Sequence, residues 1–204
     1  MQKIILLVGD SGSGKDFVLS TIGNYPGIQV IKRYISREAR DGEENSISSI
    51  FNVPIEEIKS LDYYYEGDQA GRWYGIRKQD LDDALASGKS PIVVCPNYDI
   101  FMKMLKDYQG NVVSYFVYRG YAEDEIEEWR RSLRNRGSSL SEIEAREQTR
   151  NKYFRELYVE HTNDYNENVI LNLHGLTTRE DIALQFEGLC EKNEIDFDLE
   201  RRSM

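Results

Sequence analysis

The chain has 204 residues, 40% of them apolar and 30% charged, which suits one domain with a full core and a well-solvated surface. Its formal net charge of −10 argues against a nucleic-acid binder, which needs a basic field. No apolar run nears the roughly 20 residues that cross a bilayer, and the apolar start of MQKIILLVGD is too short for a signal peptide, so a cytoplasmic protein with no membrane partner is expected.

Residues 4–8 form a continuous apolar run, as in a strand buried on both faces. After a glycine-rich stretch, Phe17, Val18 and Ile22 recur at helical spacing until the stop signal Asn24, Tyr25, Pro26, Gly27. Val30 and Ile31 suggest a second strand, which leads into a polar segment over 32–45. Residues 49–73 mix short apolar pieces, a tyrosine triplet and glycines, the texture of a small α+β subdomain. A short helix over 80–86 closes at Gly88, and PIVVC at 91–95 reads as another buried strand. A helix over 100–105 and a strand over 112–117 follow.

Ala122, Ile126, Trp129 and Leu133 then share one helix face. A polar stretch over 134–146 precedes a helical pattern reaching about residue 159, and 169–173 is the last strand. Thr178 with Asp181 resembles a capping box for a final helix whose face carries Ile182, Phe186 and Leu189. The charged tail from Glu191 onward reads as a solvated or frayed end. Cys95 and Cys190 lack metal-like spacing and read as core residues, as Trp73 and Trp129 do, while His161 and His174 have no evident partner. Buried strands alternating with helices define an α/β fold around a mostly parallel sheet.

Gly9, Asp10, Ser11, Gly12, Ser13, Gly14 and Lys15 fit G-x-x-x-x-G-K between an apolar strand and an amphipathic helix. In such a loop the backbone N–H groups of residues like Ser11, Gly12, Ser13 and Gly14 turn inward on phosphate oxygens, and the helix N-terminus adds partial positive charge. Lys15 then reaches the β- and γ-phosphates of ATP. Where the motif expects a Mg²⁺-ligating hydroxyl, this chain has Asp16, a hard oxygen donor suited to the same ion.

Ile35, Ser36, Arg37, Arg40, Gly42 and Glu43 resemble the guanylate kinase signature, and Tyr74 with Gly75 resembles its Tyr-Gly step. Arg131, Arg134, Arg136 and Arg146 flank a segment similar to that family's arginine-bearing lid, and Asn172 ends a strand where the family places Asn near the nucleotide. The resemblance spans roughly residues 3–190 and implies a three-layer P-loop NTPase fold in a single domain over 1–204. Its core would comprise 1–34 and 88–190, its acceptor-binding subdomain about 35–87, and its lid about 134–150.

The implied activity is ATP- and Mg²⁺-dependent phosphoryl transfer to a small phosphorylated acceptor, a nucleoside monophosphate such as GMP, by a monomer or homodimer. The implied acceptor residues are Ser36, Arg37, Arg40, Glu66 and Tyr74, and Arg136 and Arg146 would close over ATP. Arginine suits this task because its fork engages phosphate with two hydrogen bonds.

Departures from the family are specific. Ser49 stands at a phosphate-binding tyrosine, Val94 and Pro96 at two magnesium-organising aspartates, and Ile76 at a guanine-contacting hydroxyl. The guanine-reading acid aligns to Tyr65, with Glu66 one residue on. The acid missing at 94 and 96 and present at Asp16 suggests that the magnesium-anchoring charge has moved to the loop.

The chain also resembles ribose 1,5-bisphosphate kinases in the Gly14, Lys15, Asp16 ending of the loop and in Arg33, Tyr34, Ile35. The likeness extends to Glu44, Asn45 and to Tyr74, Gly75, Ile76, although this chain keeps Arg40. A third reading is a catalytically weak, guanylate kinase-like binding module for a protein partner. A P-loop switch is disfavoured, since neither Val94 nor Cys95 supplies the strand-end acid it needs.

Overall fold

A computed structural model describes residues 2–9, 12–40, 42–60, 62–67, 71–95, 98–118, 123–135, 137–153, 168–172 and 176–198, with 98–99, 123–125, 149–153 and 171 described by backbone alone. Its centre is a five-stranded parallel sheet built from β1 (Ile4–Val8), β2 (Ile28–Ile31), β7 (Ser90–Val94), β8 (Val112–Tyr118) and β9 (Val169–Leu171) in the order β2-β7-β1-β8-β9. β1 lies between β7 and β8, which explains why every one of its residues is buried.

Strand alternation divides the core into two layers. Ile5, Leu7, Ile92, Val94, Tyr115 and Val117 face α1 (Lys15–Ile22) and α7 (Arg179–Lys192). Ile4, Leu6, Val8, Val93, Cys95 and Phe116 face α3 (Lys78–Ala86) and α4 (Tyr98–Asp107). This is the three-layer α/β arrangement expected when both faces of a parallel sheet are apolar.

A second, four-stranded sheet has the order β4-β3-β6-β5, from β3 (Arg33–Ile35), β4 (Ser49–Ile50), β5 (Tyr63–Gly67) and β6 (Trp73–Arg77). β3 pairs parallel with β4 and antiparallel with β6, and β6 pairs antiparallel with β5. The short α2 (Ile55–Ile58) packs against β6 through buried Ile58. On one face of this sheet Tyr34 meets Tyr63 edge-on at 5.1 Å, and its hydroxyl donates to Asp80 at 3.0 Å. On the other face Tyr64 and Ile76 join the core beside α3 and α4.

Beyond β8, α5 (Glu123–Asn135) and α6 (Leu140–Tyr153) pack through Trp129, Leu133 and Ile143. Arg130, which pairs with Glu127 on its own helix at 2.5 Å, joins the two helices by an ion pair to Glu147 at 2.7 Å. The expected capping box is present at the start of α7: Asp181 N–H donates to Thr178 Oγ1 at 3.1 Å and Thr178 N–H to Asp181 Oδ2 at 2.8 Å.

The polar segment over 32–45 opens with a strand, Arg33–Ile35, between β4 and β6. One expectation is corrected: the chain after Glu191 is not solvated throughout. Ile195 and Phe197 are 4% and 5% exposed, and Phe197 O accepts from Gly27 N–H at 2.9 Å. Net charge concealed the cause: Ile195 and Phe197 sit at alternate positions among acids, so one side of an extended segment is apolar. Ala122, Pro96, His161, His174 and the pattern over 154–159 lie outside the described residues.

Candidate active site

The phosphate-loop motif follows β1 directly. Gly12 and Gly14 have φ of 83° and 85°, a left-handed conformation that side chains beyond glycine disfavour. A Cβ on Gly14 would collide with the Asn172 side-chain amide, and one on Gly12 with the Trp129 indole. The Asn172 amide donates to Ser13 O at 2.8 Å, so the end of β9 braces the loop. Lys15 Nζ donates to Gly9 O at 2.8 Å, across the mouth of the turn. Ser13 Oγ is buried without a hydrogen-bond partner among the described residues, a polar atom that a phosphate oxygen would satisfy.

The second sheet forms a facing wall, and its register decides which residues line it. Ile35 pairs with Tyr74, and Tyr74 pairs with Glu66. Directly opposed residues share a face, so Ile35, Tyr74 and Glu66 belong together with core-facing Tyr64 and Ile76. Tyr65 pairs instead with Gly75 on the opposite face, where its ring lies 6.1 Å from Trp73. Of the two neighbouring candidates on β5, Glu66 therefore occupies the Tyr74 side. Ile76 is fully buried and presents no polar group.

Arg37, just past β3, is held by a two-point contact with Glu43, at 2.7 Å and 3.1 Å, and its guanidinium lies 4.9 Å from the Phe51 ring centre. Glu43 also accepts from Arg40 N–H at 3.1 Å. Burial works against the charge on Glu43, but hydrogen bonds from Arg37 and from the Arg40 backbone outweigh it and hold the carboxyl below its usual range. Ser36 Oγ accepts from Trp73 N–H at 2.9 Å.

Arg146, on α6, lies in the field of Arg40 and Arg72. Burial and those two like charges push its guanidinium down. The structure thus draws Arg40 and Arg146 together near Tyr74, whereas Arg131 and Arg134 are exposed on α5. Ser11 and Arg136 lie outside the described residues.

The two walls meet at Asp16, in the first turn of α1, whose Oδ1 accepts from Ser48 Oγ at 2.7 Å. Among the described residues no cluster of three or more His, Cys, Asp or Glu could hold a metal by itself. One carboxylate beside a phosphate loop nevertheless fits Mg²⁺, which is usually held by one or two carboxylates together with substrate phosphates and water.

Sequence reasoning assigned no role to Ser48, Arg72 or Arg33. Arg33 Nη2 donates to Ser49 Oγ at 3.1 Å, and its Nε is shut off from solvent. Arg33 is placed by strand alternation in β3, which the polar composition of 32–45 conceals, and Ser48 and Arg72 lie just before β4 and β6.

No described protein family matches the sequence, and no curated protein does. Among solved structures, the guanylate kinase of Anaplasma phagocytophilum superposes with a TM-score of 0.60 at 20% identity, over 96% of this chain and 87% of that one. The chain therefore has a guanylate kinase-like, P-loop NTPase fold. No described helix is long and apolar enough to cross a membrane.

Proposed function

We propose that the protein is an ATP-dependent kinase that phosphorylates a small phosphorylated acceptor, in the first place a nucleoside monophosphate such as GMP. The carrying observation is the Asp16–Ser48 hydrogen bond of 2.7 Å, which joins a phosphate loop to a wall bearing Arg33, Arg37, Glu66 and Tyr74. Phosphoryl transfer between anions needs positioning and positive charge more than covalent help, and this cleft is built of such groups.

In this reading Gly12, Ser13 and Gly14 bind the ATP phosphates through the backbone and the Ser13 hydroxyl. Lys15 moves from Gly9 O to the β- and γ-phosphates. Asn172 positions the loop through Ser13 O, and Asp16 holds Mg²⁺, which when bound offsets charge on the β- and γ-phosphates. Arg37, Arg40 and Tyr74, with Ser36 nearby, orient the acceptor phosphate, whose ionised oxygen needs no general base near neutral pH. Arg146, carried by α6, closes the cleft and excludes water, with residues 134–150 as the lid. The second sheet serves as the acceptor-binding subdomain. Glu66 is the group that reads an acceptor base by accepting from its N–H donors.

A second reading, ribose 1,5-bisphosphate as acceptor, is favoured by Ile76, which is fully buried and gives β6 no polar group for a base at that position. One assay separates them: ADP release from ATP and Mg²⁺ with GMP, dGMP, AMP, CMP, UMP, dTMP or ribose 1,5-bisphosphate. Turnover with GMP, lost in Glu66→Gln, supports the first reading. Turnover with the sugar phosphate alone, insensitive to that change, supports the second. Intact ATP binding with no turnover across the panel would defeat both and favour a binding module.

A further inference from the structure

Arg33 lies on β3 two residues before Ile35, and so on the face of the second sheet that carries Tyr74 and Glu66. Its register partner on β4 is Ser49, whose hydroxyl accepts from Nη2 at 3.1 Å. Its backbone N–H donates to Ser48 O at 2.9 Å, so the strand holds the residue firmly. Its Nε–H, in contrast, is buried and meets no acceptor, and among the described residues Arg33 forms no ion pair. The charges that act on it are Asp16, which already accepts from Ser48, and, more weakly, Arg37, which repels it.

A buried cation with an unmet donor is a standing penalty to the folded chain. Ser49 holds the fork in place without neutralising it. Such an arrangement is explained by an anion that arrives with a ligand.

We infer that Arg33 is an anion-binding residue of the acceptor site, whose Nε–H and charge engage a phosphate oxygen of the acceptor between Asp16 and Tyr74. The inference rests on the kinase reading above and deepens it. Asp16, which follows the phosphate loop, acts on Arg33, whereas Arg37 is held by Glu43, so the two arginines would hold different oxygens of the incoming group. Desolvation lowers the Arg33 guanidinium, with Asp16 and Tyr74 partly offsetting this, as expected where an anion completes the site.

The test uses the full chain, with Mg²⁺ and a non-hydrolysable ATP analogue filling the phosphate loop, and inorganic phosphate as the probe. Calorimetry compares wild type, Arg33→Met, Arg33→Lys and Arg37→Gln, with the melting temperature of each. Arg33→Met is expected to weaken phosphate binding about 10- to 100-fold, to leave analogue affinity within about twofold, and not to lower the ligand-free melting temperature. Arg33→Lys, which keeps the charge but loses the planar fork, should fall between.

Wild-type phosphate affinity in Arg33→Met and Arg33→Lys, with affinity lost in Arg37→Gln, would overturn the role of Arg33 and leave the acceptor site standing. A lowered melting temperature with phosphate affinity intact would make Arg33 a structural residue and overturn the inference. Absence of phosphate binding in every protein, wild type included, would overturn the acceptor-site reading and this inference with it.

Discussion

Asp16 carries two duties that a single substitution can separate. Its carboxylate accepts from Ser48 Oγ, and its charge sits beside a phosphate loop. Asp16→Asn keeps an oxygen for Ser48 but removes the charge. If Asp16 anchors Mg²⁺, turnover should fall about 10- to 100-fold, while ATP affinity without metal stays within about twofold. Unchanged turnover at limiting Mg²⁺ would remove Asp16 from the metal site.

Glu43 has a different signature, in pH. Its folded carboxyl lies below the ordinary value because hydrogen bonds from Arg37 and Arg40 N–H outweigh the opposing effect of burial. A depressed acid stabilises the fold above its unfolded pKa of about 4.3 and loses that contribution as pH falls through the folded value. The melting-temperature difference between wild type and Glu43→Gln should be constant from about pH 6 to 8 and shrink below about pH 4. A difference that grows on acidification would mean the Arg37 contact is not what holds Glu43.

At the level of elements, the C-terminal segment after α7 behaves as part of the core. Phe197 contacts Tyr25 edge-on at 5.3 Å and lies 6.3 Å from Phe186, and Ile195 belongs to the same cluster. Phe197→Ala should cost about 3 kcal/mol, the low end for truncating a buried aromatic, read as a lower urea midpoint with an unchanged slope. A change below about 0.5 kcal/mol, the range of surface substitutions, would mean that the segment is solvated after all.

The reasons for what was and was not legible are visible here. IILLV, the PIVV of β7 and the Thr178 cap announce themselves because one local rule suffices for each. Arg33–Ile35 and the tail do not, because each is short, charged and ordered only by partners distant in sequence, β6 for one and Gly27 for the other. The same limit applies to the cleft. The loop glycines and Arg37 were readable from motif, whereas choosing between Tyr65 and Glu66 required the β5–β6 register, which moves by one residue without any change in composition.

For the molecule as a whole, the two sheets differ in how deeply they are tied in. β1 is paired on both edges and covered on both faces, whereas β4 is a two-residue edge strand with exposed Ile50. Hydrogen exchange should show the amides of Ile5, Leu6 and Leu7 opening only with global unfolding, and those of Ser49 and Ile50 far sooner. Equal protection in both sheets would argue that the second sheet does not open separately from the core.

The position of β1 also bears on how the protein is made. Its neighbours are residues 92–94 on one side and 112–116 on the other. At about 5–20 residues per second, a ribosome needs several seconds after finishing β1 to supply either edge. For that interval the most apolar stretch of the chain is outside the tunnel with no strand to join. The protein should therefore be a client of chaperones that bind nascent chains, and its yield should depend on them more than its final stability does.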